Sequence, residues 1–184
     1  MKNITKKTII INLLAVFILA SFSFITIKSN TIKSSKVDFG IKNLGIVTNG
    51  TLGGLQTSVF NFDEDSLAQC EIIATVAVKT INTGINKRDE HLRGKDYFDA
   101  NTHPTIKLKS TKFLRAKGGN VIGYFKLTIK GVAKDIVMPI YVTKSGSNTS
   151  LKGTFSINRL DYKVGSSSIT LSDVVNITIF VETN

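Results

Sequence analysis

The chain has 184 residues, 42% hydrophobic and 20% charged, with 14 Gly, 2 Pro, one Cys and no Trp. That length suits a single domain with one core, and the apolar content excludes a disordered chain. One Cys excludes a disulfide framework and any multi-thiolate metal site. The formal charge of +11 comes from 24 basic against 13 acidic residues. The lysines are scattered rather than clustered among aromatics, which excludes a nucleic-acid face and leaves weak attraction to anionic membranes.

Residues 1–30 read as a targeting segment. Lys2, Lys6 and Lys7 form a positive start, and Ile9 to Ala20 is apolar except for Asn12. Ser21 and Ser23 suit a cleavage site. The apolar run from Thr8 to Ile27 is also long enough to span a bilayer. A cleaved signal and an uncleaved anchor both follow from this pattern. Either one puts the domain of residues 31–184 outside the cytoplasm, periplasmic or secreted. That domain keeps 20 basic and 13 acidic residues, because four lysines and no acid lie in the first 30.

From about residue 36 onward apolar residues recur with a period of two. Val37, Phe39 and Ile41 share one face. A less regular stretch runs from Leu52 to Phe62. Cys70, Ile72, Ala74, Val76 and Val78 alternate with Glu71, Thr75 and Lys79. Ile106 and Leu108 oppose Lys107 and Lys109. Val121, Gly123, Phe125, Leu127 and Ile129 are followed by Ile136, Met138, Ile140 and Val142, then Gly153, Phe155 and Ile157. Val175, Ile177, Ile179 and Val181 close the chain. Gly118-Gly119-Asn120, Lys130-Gly131 and Ser145-Gly146-Ser147-Asn148 are hairpin turns between neighbours. About eight antiparallel strands, each with one apolar face, make an all-β sandwich or a barrel. The lysines on the other face are what water would see. Cys70, inside an alternating run, reads as a buried small hydrophobe.

Residues 80–103 break the alternation. Asn86 is placed to cap a short helix, Asp89 to support its first turn, and Gly94 to end it. Asp89 and Arg93, four apart, are spaced to pair on its surface. This helical insertion is a natural lid for one barrel end.

Here the sequence resembles the YceI-like, polyisoprenoid-binding family. The resemblance rests on Thr83-Gly84, Arg88-Asp89-Glu90-His91-Leu92, Tyr97-Phe98-Asp99, His103-Pro104-Thr105-Ile106 and Ser110-Thr111. The hairpin Gly123 to Val132 and the run Asn158-Arg159-Leu160-Asp161-Tyr162 continue it. It departs from the family at Asn43-Leu44-Gly45, where a His-Leu-Gly is common, and across Leu52 to Thr57. The resemblance implies an antiparallel eight-stranded lipocalin-like barrel with a short helical insertion, enclosing an apolar cavity.

The implied ligand is an isoprenoid lipid, a quinone or another long-chain amphiphile, with no cofactor, carried, stored or shielded between membranes. Inward Phe39, Ile72, Val76, Leu108, Phe125, Leu127, Met138, Ile140, Phe155 and Ile157 would line the cavity. Each buried CH₂ is worth about 0.8 kcal/mol, so desolvation alone can hold such a chain. Arg88, Asp89, His91, Arg159 and Asp161 form a polar cluster that either knots the insertion to the barrel or meets a head group. Partners would be the lipid, a membrane touched transiently and a second copy in a homodimer, with no nucleic acid. No Gly-x-Ser-x-Gly elbow and no metal-ligand spacing occurs, so no reaction is expected. Periodicity alone equally fits a filled core, which would suit a non-catalytic stress-response or protein-interaction module.

Overall fold

The computed structural model describes residues 31–184, and the targeting segment expected at residues 1–30 lies outside the described residues. The strands are β1 (Ile32–Asn43), β2 (Ile46–Leu52), β3 (Gln56–Asn61), β4 (Glu71–Ala77), β5 (Thr105–Arg115), β6 (Val121–Ile129), β7 (Val132–Ser145), β8 (Asn148–Asn158) and β9 (Leu171–Thr183). One α-helix, α1 (Asn86–Arg93), stands between β4 and β5, after a 3₁₀ turn at Val78–Thr80. The nine strands form one antiparallel sheet in the order β2-β1-β9-β8-β7-β6-β5-β4-β3. It curls into a half-barrel.

The expected eight strands become nine because the first region holds a separate hairpin. Leu44 and Gly45 both take positive φ, 51° and 80°, and turn β1 directly into β2, with Asn43 opposite Ile46. Gly53 and Gly54 then break the stretch from Leu52 to Phe62 into β2 and β3. The two sheet edges, β2 and β3, do not pair as strands. Instead Thr51 and Asn82 exchange backbone hydrogen bonds of 2.8 and 3.0 Å, joining β2 to the chain after β4. The Thr80 hydroxyl adds a bond to the Gly53 carbonyl at 3.0 Å.

Two clusters of buried side chains divide the interior. At the end where β7 turns into β8, Phe60, Phe62, Phe113, Phe125, Met138 and Val181 pack together. Phe113 meets Phe62 and Phe125 edge-on, with centroids 5.7 and 5.6 Å apart. At the α1 end, Leu127, Ile129, Tyr162 and Val164 pack against Tyr97, Phe98 and Ile106. Lys107, Lys109 and Lys126 lie exposed on the outer face. Lys126 pairs with Asp135 at 2.7 Å, and Lys112 sits 4.3 Å over the Tyr124 ring.

Helix α1 starts differently from expectation. Asn86 is its first helical residue, the capping position falls on Ile85, and neither side chain caps it. The Asp89 carboxylate reaches back out of the helix instead, accepting from the Thr83 backbone N–H at 2.9 Å and the Thr83 hydroxyl at 2.5 Å. Asp89 is therefore turned inward and does not pair with Arg93, which donates to the Lys79 carbonyl at 3.0 Å. Gly94 does end the helix.

Cys70 is half-buried rather than fully buried, and its thiol is engaged. The Asp63 N–H donates to Sγ at 3.2 Å, and the thiol donates to the Asp63 carbonyl at the same distance. Burial pushes the thiol above its ordinary value; the Asp63 N–H opposes this and the Asp63 charge reinforces it. Because the thiolate is the nucleophile, alkylation by iodoacetamide at pH 8 should be markedly slower in the folded protein than in denaturant. Equal rates in both states would refute this.

Candidate functional site

The inner face of the sheet is not filled evenly. On β6, Val121, Phe125, Leu127 and Ile129 are buried by their neighbours. Across the interior, Phe39 and Ile41 of β1, Phe155 and Ile157 of β8, and Val175, Ile177 and Ile179 of β9 also point inward but are only half-buried. Inward apolar side chains that stay accessible mean unfilled space. That space is a cavity of about 380 Å³, within the range of roughly 300–1,000 Å³ that holds one small ligand.

Register builds the wall. Ile177 sits opposite Phe39 on one side and Phe155 on the other, so β1, β9 and β8 present a continuous apolar strip. Gly153 faces Ile140 across β7 and β8, and a Cβ there would collide with the Met138 side chain. Gly50, opposite Phe39, lets that ring lie flat against the backbone in the same way. Both glycines make room on the inner face for large side chains.

All ten residues expected on the wall are there: Phe39, Ile72, Val76, Leu108, Phe125, Leu127, Met138, Ile140, Phe155 and Ile157. Missing from that set were Val37, Ile41, Leu52, Leu55, Ile177 and Ile179. The alternation of β9 carried the signal for Ile177 and Ile179. Nothing in the local pattern marked Leu52 and Leu55, which flank a Gly-Gly break.

The expected polar cluster is not one knot. Arg88 donates through Nε to the Thr83 hydroxyl and through a terminal nitrogen to the Thr83 carbonyl, both at 2.7 Å. With Asp89 on the same threonine, these residues brace the entry to α1. Arg159 forms a second, separate node. It is buried and donates to the Ser172 carbonyl at 3.0 Å, the Val164 carbonyl at 2.9 Å and Asp173 at 2.8 Å. Asp161 is not its partner. Asp161 is exposed on the 3₁₀ turn Arg159–Tyr162, whereas Asp173 arrives from β9, the strand paired with β8. His91 stands against the edge of Tyr97, with centroids 4.8 Å apart, and borders the cavity. The cavity is thus oily along its length, with Arg88, His91, Thr83 and Arg159 at its α1 end.

Tyr162, buried at the same end, has its phenol pushed from the ordinary 10 up to about 12, first by burial and then by the charges of Asp161 and Asp135. A proton held more tightly in the folded state means stability is kept below pH 10 and lost as pH rises from 10 towards 12. Chemical denaturation across that window should show the fall, and Tyr162→Phe should flatten it. An equally steep fall in Tyr162→Phe would assign it to other groups.

A profile of the YceI-like domain matches residues 28–183. The UPF0312 protein plu2095 of Photorhabdus laumondii is 32% identical over 103 residues, 55% of this chain and 53% of that protein. The UPF0312 protein YE1254 of Yersinia enterocolitica is 29% identical over 114 residues, 61% of this chain and 58% of that protein. The chain thus spans only a little over half the length of these curated relatives. Among solved structures, Burkholderia cenocepacia BcnA is 27% identical with a TM-score of 0.77, covering 82% of this chain and 96% of that one. The Campylobacter jejuni YCEI protein is 28% identical with a TM-score of 0.66, covering 74% and 85%. A polyisoprenoid binding domain from Saccharophagus degradans, implicated in plant cell wall breakdown, covers 85% and 97% with a TM-score of 0.66. At 16% identity that last likeness is one of fold alone. A half-barrel with an apolar interior, matched by this profile over nearly all of its described length, places the chain in the family of YceI-like domain proteins.

Proposed function

We propose that this chain holds one hydrocarbon-rich lipid, of polyisoprenoid or quinone type, in the half-barrel and carries or shields it outside the cytoplasm. The reading assigns binding and no reaction. The observation that carries it is the set of inward apolar residues left half-buried around a cavity of about 380 Å³. An apolar chain laid there removes both its own surface and that wall from water, at about 0.8 kcal/mol for each CH₂, before the cost of ordering the chain. The name of the Saccharophagus degradans domain, which shares the fold, points to the same ligand class. Export is supported by the lysines and apolar run of residues 1–30. A filled-core interaction module is the weaker reading, because it needs an interior plugged by its own side chains.

Displacement of a fluorescent farnesyl probe tests the proposal. The probe should saturate at one per chain and be released by added ubiquinone or polyprenyl phosphate. Uptake that rises without saturation, or no uptake at all, would overturn it.

A further inference from the structure

The cavity wall continues into two exposed apolar tips. Asn43 and Leu171 border the cavity; Leu44 follows the first and Thr170 precedes the second. The Leu44 N–H donates to the Thr170 carbonyl at 2.8 Å, so the β1–β2 turn and the loop before β9 sit side by side. Leu44 and Ile46 are 73% and 74% exposed, Val47 is more than half exposed, and Ile169 is fully exposed.

Two local rules fail together at Leu44. A two-residue hairpin with positive φ at both positions favours Asn, Asp or Gly first, yet a branched apolar residue stands there at φ 51°. A water-facing turn also favours polar residues. Local rules broken without a packing gain point to function. Leu44 has no such gain, since its side chain is largely in water.

The charge around the tips fits one kind of partner. No acidic residue occurs from Phe39 to Phe62 or from Tyr162 to Ser172, while Lys42 and Lys163 lie in these stretches. Lys130 donates to the backbone carbonyls of Lys95 and Lys163 at 2.8 and 3.0 Å, which places its ammonium at this end, where the exposed Asp96 and Asp161 also lie. Apolar tips on two segments that carry lysine and no acid of their own, in a chain of net charge +11, suit the interface of an anionic bilayer, where side chains enter the acyl boundary and lysines meet phosphates.

We infer that the β1–β2 turn and the loop before β9 dock this end of the half-barrel onto an anionic phospholipid surface, with Leu44, Ile46 and Ile169 entering the bilayer. The inference rests on the lipid reading of the cavity, since docking would bring the cavity rim to the membrane that supplies the ligand.

The test uses residues 31–184, which hold the whole sheet and its core, on mixed phosphatidylcholine–phosphatidylglycerol vesicles, because the apolar run from Thr8 to Ile27 would bind vesicles by itself. A nitrobenzoxadiazole label is placed by Ile169→Cys or by Ser147→Cys, each with Cys70→Ser. Ser147 lies in the β7–β8 turn, at the opposite end of β9. Nitroxide-bearing lipids should quench the label at position 169 several-fold more than the label at 147. Adding Leu44→Ser and Ile46→Asp should bring the two to the same level. Equal quenching at both positions in the unsubstituted tips would overturn docking. So would a label at 169 that responds to protein concentration without vesicles, which would assign the tips to a second copy. Farnesyl-probe uptake in vesicle-free buffer separates the two readings. Failure of uptake with selective quenching intact removes the cavity ligand but not the docking face, and the reverse removes only the docking face.

Discussion

Ile177→Asp should leave a folded protein that binds an isoprenoid ligand roughly a hundred-fold more weakly. Ile177 lies between Phe39 and Phe155 on the cavity wall and is half-buried, so a carboxylate there keeps contact with water while the cavity is empty. A hydrocarbon ligand removes that water. The charged group must then lose its hydration or take up a proton, and either route costs free energy on binding. A net cost of about 3 kcal/mol corresponds to the hundred-fold change. Phe125→Asp is a poorer probe, because Phe125 is buried against Phe113 and a charge there should disrupt the packing at the β7–β8 end. Probe displacement gives the affinity, and a thermal melt shows that the variant folds. An affinity within a few-fold of wild type in a folded Ile177→Asp protein would place the ligand elsewhere.

Arg159→Met should lower stability by about 3 kcal/mol, whereas Asp161→Ala should change it by less than about 0.5 kcal/mol. The arginine is 3% exposed, and its removal strands the carbonyls of Val164 and Ser172 together with Asp173. Asp173 is more accessible than the arginine and is partly rehydrated, which keeps the loss below that of a fully buried pair. For a domain of this size the cost lowers Tm by roughly 6–12 °C. Asp161 is exposed and holds no bond to Arg159. Similar melting points for the two variants would mean that the arginine is held differently.

Much of the fold was legible because a strand carries its orientation in a period of two. Phe125 and Leu127 alternate with Lys126, and that pattern alone assigns the inner and outer faces of β6. The same logic turned ten residues inward, and the family resemblance made them the wall of a cavity. The β1–β2 hairpin escaped because Leu44-Gly45 lacks the usual Asn-Gly turn and Ile46-Val47 does not alternate. The partner of Arg159 escaped for a different reason. Asp161 is two residues away along the chain, but Asp173 is beside it across the sheet, and sheet neighbours follow from register rather than from local sequence. Whether the interior is hollow was not legible in the periodicity; only the family resemblance implied a cavity. Periodicity says which side chains turn inward; the half-burial of Phe155, Ile157 and Ile179 shows that no facing layer covers them completely.

Mass analysis of the protein isolated intact from its own host bears most directly on the cavity. The expected spectrum holds a complex of one chain with one lipid, whose organic extract contains an isoprenoid tail. Repeated preparations of bare protein that also fail to take up added quinone or polyprenyl phosphate would contradict the lipid-carrier account.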